Sequence, residues 1–408
     1  MQQIFMACLR LLSLPFIFLV FTASANDAPT AASPDSRQQL AGLIREPLSL
    51  QVTLDNGQPA TLDAFVTRPV STGQLPVVLI TNGSAFSQEY DRMTTTPNEF
   101  SSAAIAFARH GYAAVVVLRQ GYGQSSGPAE YEGGSCNEPR HMRAGTIDKN
   151  NITAALAVIR RQPWASQDKA ILAGMSSGGF AVIATSAVNP AGVQAVISFD
   201  GGRGAIDGKS LCDKAGLLKA FELYGRTARI PTLWLYTKND NAFPPAMARE
   251  MLNAYQRGGG NAEFILMPAF EENGHTFIES APESFWWQQV AGFLEQQHLP
   301  FKEIAALPKT HLPPPAHLNA AGREGFSYYE ASQRYEKAFA ISPDGSWGTA
   351  YSMRTTQDAA KLALVNCRKW QHPGGTGCAV YAIGNQVVAG IPAGKPEHQQ
   401  ASTVSVSP

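Results

Sequence analysis

The chain has no excess charge of either sign. Lys plus Arg and Asp plus Glu each number 32 in 408 residues, so the formal net charge is zero. A protein that neutralises nucleic-acid phosphates carries a basic face; no basic stripe interrupts this balance, and nucleic acid is not an expected partner. Charged residues make up only 16% and hydrophobic residues 44%, which excludes global disorder and supports a sizeable core. The sequence lacks H-E-x-x-H and any Cys/His cluster with zinc spacing, so neither a metal nor another cofactor is expected. Internal repeats are absent. Apolar runs are short as well. "LLSLPFIFLVF" (11–21) is about half the length a membrane helix needs and contains Pro15.

That run has a different reading. Arg10 precedes it, and Ala23-Ser24-Ala25 follows with small residues at the cleavage spacing. Residues 1–25 therefore read as a secretory signal peptide, with no membrane span after its removal and a periplasmic or secreted destination. Of the five cysteines, Cys8 leaves with this segment. Cys136, Cys212, Cys367 and Cys378 remain, an even number in an exported chain, and suggest two disulfides. Four cysteines allow three connectivities; the spacing favours Cys136–Cys212 and Cys367–Cys378.

Residues 26–44 read as an Ala/Pro/Ser/Asp-rich linker. Two alternating runs around Asn56-Gly57 read as a hairpin. Short apolar, β-branched runs then alternate with helical patterns. The strands are "VVLIT" (77–81), "YAAVVVL" (112–118), "KAILAGM" (169–175), "VQAVISF" (193–199), "IPTLWLYTKND" (230–240) and "AEFILMP" (262–268). Helices are expected near 98–109, 148–161, 177–188, 245–257 and 283–297. This order implies an α/β fold with a mostly parallel sheet covered on both faces, over residues 45–300. Ligands of such sheets bind beyond the carboxyl ends of the strands. The excursion 124–147 shows no periodicity and should overhang the site; a Cys136–Cys212 bridge would fix it as a roof, worth about 4 kcal/mol in the chain-entropy model. Trp286-Trp287 on the last helix reads as packing. "LPKTHLPPPAHL" lies in a Pro-rich connector, residues 301–324. Residues 325–392 form a small disulfide-stapled α+β domain, with Thr355 or Thr356 capping its helix, and 393–408 read as a disordered tail.

One segment carries chemistry. Gly174-Met175-Ser176-Ser177-Gly178 is G-x-S-x-G between an apolar strand and a helix-forming run, the context a nucleophile elbow requires. Ser176 is the candidate nucleophile, and Ser177 offers its backbone N–H to an oxyanion. Asp240, after a buried run, is the candidate acid; Asp200, after "VISF", is the runner-up. His275, in "ENGHTF", is the only one of eight histidines placed after a core strand in the order Ser…Asp…His. Ser84 in "TNGSAF" is the second oxyanion donor, with Ala85 as the alternative. Arg119 either orients substrate or supports its loop through an ion pair.

The motifs "NGS" (82–84), "RQGYGQSSG" (119–127), "DKNNITAALAVIRRQPWASQDKAILAGMSSGGF" (148–180), "PTLWLYTKNDNAFPP" (231–245) and "NGHTF" (273–277) resemble the α/β-hydrolase superfamily. Within it they are similar to dienelactone-hydrolase-like and prolyl-oligopeptidase-like serine hydrolases. The resemblance implies a triad of Ser176, Asp240 and His275. It departs at Asn82, where many relatives carry His, and at Ser176, where dienelactone hydrolases often carry Cys. The C-terminal "GSWGTA" with its two cysteines resembles small secreted bacterial modules. The expectation is an exported serine hydrolase that cleaves a carboxylic ester through an acyl-enzyme on Ser176. A prolyl-oligopeptidase-type peptidase acting on aminoacyl amides is the alternative, disfavoured by the short stretch before the first parallel strand. A non-catalytic protein holding an envelope ligand through its C-terminal module is the third reading.

Overall fold

Runs with little charge and many β-branched residues have one stable use, the interior of a sheet covered on both sides, and these runs take it. The computed structural model describes residues 40–84, 89–129, 136, 140–206, 210–307, 309–371 and 377–388. All of them belong to one unit, Ser36–Pro408. The expected signal peptide, most of the linker, Ala85 and the tail lie outside the described residues.

An eight-stranded sheet comprises β1 (Leu43–Thr53), β2 (Pro59–Pro69), β3 (Leu75–Thr81), β4 (Ala113–Val117), β5 (Ala165–Met175), β6 (Val193–Phe199), β7 (Thr232–Thr237) and β8 (Ala262–Met267). The spatial order is β1-β2-β4-β3-β5-β6-β7-β8. β1 and β2 pair antiparallel as a hairpin, and β2 is antiparallel to β4. From β4 to β8 every pairing is parallel. β1 begins at Leu43, inside the stretch read as linker, because Leu43 is buried and pairs with Pro69.

The helices between strands are α1 (Glu89–Thr94), α2 (Ser101–Arg109), α3 (His141–Ile159), α4 (Ser177–Ser186), α5 (Lys214–Thr227), α6 (Pro245–Arg257), α7 (Phe277–Ser280) and α8 (Glu283–Gln296). Successive strand residues serve opposite faces. Val77 and Leu79 pack with Ile152 of α3, Phe180 of α4, Phe221 of α5 and Met251 of α6. Val78 and Ile80 pack with Phe107 of α2 and Trp286 of α8 on the other side. Trp286 and Trp287 are both buried there.

Two differences from the sequence reading stand out. The excursion is not irregular to its end: α3 starts at His141, seven residues earlier than the helical pattern suggested. Its first turns carry Arg, Gly and Thr rather than a clean apolar stripe, so periodicity is silent there. α5 went unpredicted. Its signal is Leu217, Ala220, Phe221 and Tyr224, an i, i+3, i+4, i+7 stripe that is buried, with Asp213 accepting the Gly216 N–H at its start.

A smaller domain follows, built on α9 (Ala320–Ala331) and α10 (Thr356–Lys369) around the antiparallel strands β9 (Ala338–Ile341), β10 (Trp347–Ala350), β11 (Ala379–Ile383) and β12 (Gln386–Val387). Thr355 caps α10 by accepting the Asp358 N–H. Alternation again divides the faces: Ala338 and Ala340 meet the alanines of α10, whereas Phe339 and Ile341 meet Phe326 and Tyr329 of α9. Disulfides join Cys136 to Cys212 and Cys367 to Cys378.

The small domain is docked firmly. Arg45 of β1 makes a two-pronged ion pair with Glu336 at 2.9 and 3.0 Å, both side chains buried. Arg354 does the same with Asp63 of β2 at 3.1 and 2.6 Å. Thr96 and Asn98 donate to the carbonyls of Ser352 and Met353. The stretch read as a Pro-rich connector is held by the larger and smaller domains: the Ile304 N–H donates to Arg109 O, Tyr381 donates to Pro313 O, and its last residues already belong to α9.

Candidate active site

Every residue singled out for chemistry sits just beyond the carboxyl end of a strand: Ser84 after β3, Ser176 after β5, Asp200 after β6, Asp240 after β7 and His275 after β8. The parallel sheet gathers them along one edge.

Ser176 joins β5 to α4 with φ 53° and ψ −121°, a conformation that L side chains rarely adopt. Tertiary bonds hold it. Its N–H donates to Phe199 O, and its carbonyl accepts from Phe180 and Gly202 N–H groups. Ser176 is half-buried while its neighbours on both sides are buried. Glycine is required beside it by close approach: a Cβ at Gly178 would lie 2.4 Å from Asn82 O. A Cβ at Gly83 would lie 3.2 Å from the Ser176 Cβ, so the Asn82-Gly83-Ser84 turn rests against the nucleophile. The first turn of α4 opens here, with N–H groups not consumed by the helix.

Asp240 and His275 meet. His275 Nδ1 lies 3.0 Å from Asp240 Oδ1, an ion-pair contact, with Asp240 2% and His275 6% exposed. The same oxygen accepts the N–H groups of Ala242 at 2.7 Å and Phe243 at 2.8 Å. Burial alone would raise the Asp240 carboxyl, but the His275 bond and charge and the two N–H groups outweigh it and hold it below the usual carboxylate range. Asn273 fixes the histidine loop by accepting the His275 N–H at 3.1 Å. The serine and the histidine are linked through Gly202 and Phe243. Gly202 donates to Ser176 O, a Cβ on it would strike the Phe243 ring at 2.5 Å, and that ring lies 5.6 Å from the imidazole.

Arg119 is buried, so it does not reach substrate. Its Nε pairs with Asp148 of α3 at 2.9 Å, and its Nη1 donates to Thr81 Oγ1 and Asn82 O. Nη2 donates to Ser177 Oγ at 2.8 Å. One guanidinium thus ties the Asn82–Ser84 turn to the residue after Ser176. Position after a strand signals Arg119; its partners lie in three other elements and leave no local trace.

A model of the X-Pro dipeptidyl-peptidase (S15) family matches residues 57–291. The chain belongs to this family. It is a serine hydrolase of the α/β-hydrolase class, the superfamily its motifs resemble. No curated protein matches it. Among solved structures it is similar to an acetyl xylan esterase from Paenibacillus sp. R4, at 15% identity over 64% of this chain and 85% of that one, TM-score 0.45. It is similar to an acylaminoacyl peptidase from Pyrococcus horikoshii, at 13% identity over 66% of this chain and 44% of that one, TM-score 0.44. It is also similar to dipeptidyl peptidase 4 from Porphyromonas gingivalis, at 15% identity over 62% of this chain and 35% of that one, TM-score 0.42.

Proposed function

We propose that the protein is an exported acyl hydrolase that cleaves carboxylic esters through an acyl-enzyme on Ser176. The observation that carries this reading is the buried 3.0 Å contact between His275 and Asp240, beside a serine held in a strained turn. Ser176 Oγ attacks the carbonyl carbon as the His275 Nε2 takes its proton. The backbone N–H groups of Ser177 and Ser84 receive the oxyanion. The imidazolium returns the proton to the leaving alcohol, and the neutral imidazole so formed takes a proton from water as it attacks the acyl-enzyme, then gives it back to Ser176 Oγ as the acid leaves. Asp240 stays ionised throughout and keeps the proton-bearing nitrogen of His275 turned away from the serine.

Export rests on the signal-like N-terminus and on two disulfides, which persist in oxidising compartments such as the periplasm. The family match favours a second substrate class, peptides cleaved after an X-Pro pair. In the reading that gives the C-terminal module an envelope ligand, the open clefts of about 440 and 470 Å³ that flank Trp347 are where the ligand would sit.

A fluorophosphonate probe tests the chemistry. Labelling of wild type and its loss in Ser176→Ala are expected; equal labelling of both would overturn the assignment. Faster turnover of p-nitrophenyl acetate than of an X-Pro-p-nitroanilide is the expected preference, and the reverse order establishes the peptidase. A chain that takes no label yet binds isolated cell envelope would establish the non-catalytic reading.

A further inference from the structure

Asp200 was the runner-up for the acid, and the structure gives it a different place. It is fully buried, follows β6 directly, and has φ 46°. Its N–H donates to Leu235 O at 2.8 Å and its Oδ1 accepts the Thr237 N–H at 3.2 Å. These bonds fix the side chain within hydrogen-bonding reach of Asp240. Asp240 Oδ1 accepts the N–H groups of Ala242 and Phe243 and faces His275 Nδ1. Among the described residues, the Oδ2 atoms of Asp200 and Asp240 are both buried without a donor. Two carboxyl groups in contact in a buried site are not both ionised, and a shared proton satisfies both oxygens at once.

We propose that Asp200 is a positioning residue of the hydrolytic site, a neutral carboxylic acid whose Oδ2–H donates to Asp240 Oδ2. With that bond every oxygen of Asp240 is engaged, and its carboxylate plane is locked with Oδ1 facing His275. The pair carries one negative charge, the amount that one imidazolium can balance. The inference rests on Asp240–His275 being the acid–base couple proposed above. The groups facing Asp200 are Asp240, with His275 behind it, and Tyr236, whose hydroxyl donates to Gly201 O. Burial, together with the Asp240 charge, raises the Asp200 carboxyl well above its ordinary range, while burial and both aspartates raise Tyr236. When Asp200 ionises at alkaline pH, two carboxylates repel across a few ångströms and the histidine loses its fixed partner.

Three measurements decide this. Infrared difference spectra of wild type minus Asp200→Asn at neutral pH should show a protonated-carboxyl C=O band. Asp200→Ala, which has no donor, should lose about 10- to 100-fold in kcat with KM little changed, the worth of a hydrogen bond to a charged group. Asp200→Asn keeps a donor toward Asp240 and an acceptor for Thr237, so it should lose only a few-fold. Its alkaline limb of kcat/KM should move to higher pH, since an amide does not ionise. The proposal is overturned if no protonated-carboxyl band distinguishes the two proteins. It is equally overturned if Asp200→Asn is as impaired as Asp200→Ala with an unmoved limb, which describes a purely structural residue. The infrared band does not depend on turnover, so it decides the protonation of Asp200 even if the probe shows that Ser176 is not the nucleophile.

Discussion

Replacing Arg119 by methionine separates what holds this fold together from what holds its oxyanion donors. The substitution keeps the length of the aliphatic stem and removes the guanidinium. Asp148, fully buried on α3, then loses the group that pairs with it at 2.9 Å. Breaking a buried ion pair from one side costs about 3–5 kcal/mol. The same substitution removes the donors to Ser177 Oγ, Thr81 Oγ1 and Asn82 O. These tie Ser177 to the turn carrying Ser84, so both proposed oxyanion donors lose their brace. Displacing one such donor costs on the order of 10²–10³ in kcat. Arg119→Met should show both losses. The double variant Arg119→Met/Asp148→Leu should recover most of the stability, because an apolar pair of similar volume replaces the ions, while kcat stays low. Urea unfolding followed by tryptophan fluorescence reads the first quantity, and p-nitrophenyl acetate turnover reads the second. If Arg119→Met keeps kcat within about threefold of wild type, or the double variant regains it, the guanidinium does not position the donors.

Other expectations follow from the same contacts. Glu336→Ala leaves Arg45 buried without its partner and should destabilise by about 3–5 kcal/mol in urea, whereas Arg45→Met/Glu336→Leu should lose much less; a single-variant loss below about 1 kcal/mol would contradict the docking argument. By the same logic a chain ending at residue 300 strands Arg45 and Asp63, and it should be insoluble or far less stable than the full protein. Burial pushes Glu99 up to about 7, and burial together with the Glu99 charge pushes Glu279 up to about 8. Through these two groups the folded state binds more protons than the unfolded one above the ordinary glutamate range, so their contribution lowers Tm as pH rises from about 5 to about 8, against an opposite contribution from His110 and His141, which burial lowers. Glu279→Gln should flatten that slope, and an unchanged slope would exclude Glu279 as its source. Lys337, which burial lowers to about 7, adds an opposite slope only above that pH. Cys136→Ser/Cys212→Ser opens a 76-residue loop and should cost about 4 kcal/mol, read as a lower urea midpoint for the oxidised protein.

The sequence by itself determined the architecture of the larger domain and the order of its candidate site. "VVLIT", "KAILAGM" and "TLWLYT" could only be interior strands, since each buries nearly every side chain on one face of the sheet or the other. Once the strands are parallel, residues just past their ends share one edge, which is why Ser176, Asp240 and His275 could be proposed as candidates without coordinates. α5 is legible in its apolar stripe, Leu217, Ala220, Phe221 and Tyr224, although it is not among the helices the strand-helix alternation predicts. The start of α3 was not legible, since its first turn lacks an apolar period. What tertiary structure alone decided is which buried polar groups face one another. Arg45 and Glu336 lie 291 residues apart, as do Asp63 and Arg354. Asp200 and Asp240 come together only because β6 and β7 are adjacent and Thr237 holds the first carboxyl in place. Hydrophobic periodicity records whether a side chain is buried, which is a property of one segment. A hydrogen bond or ion pair belongs to two segments, and its existence depends on how the sheet and the small domain bring them into register.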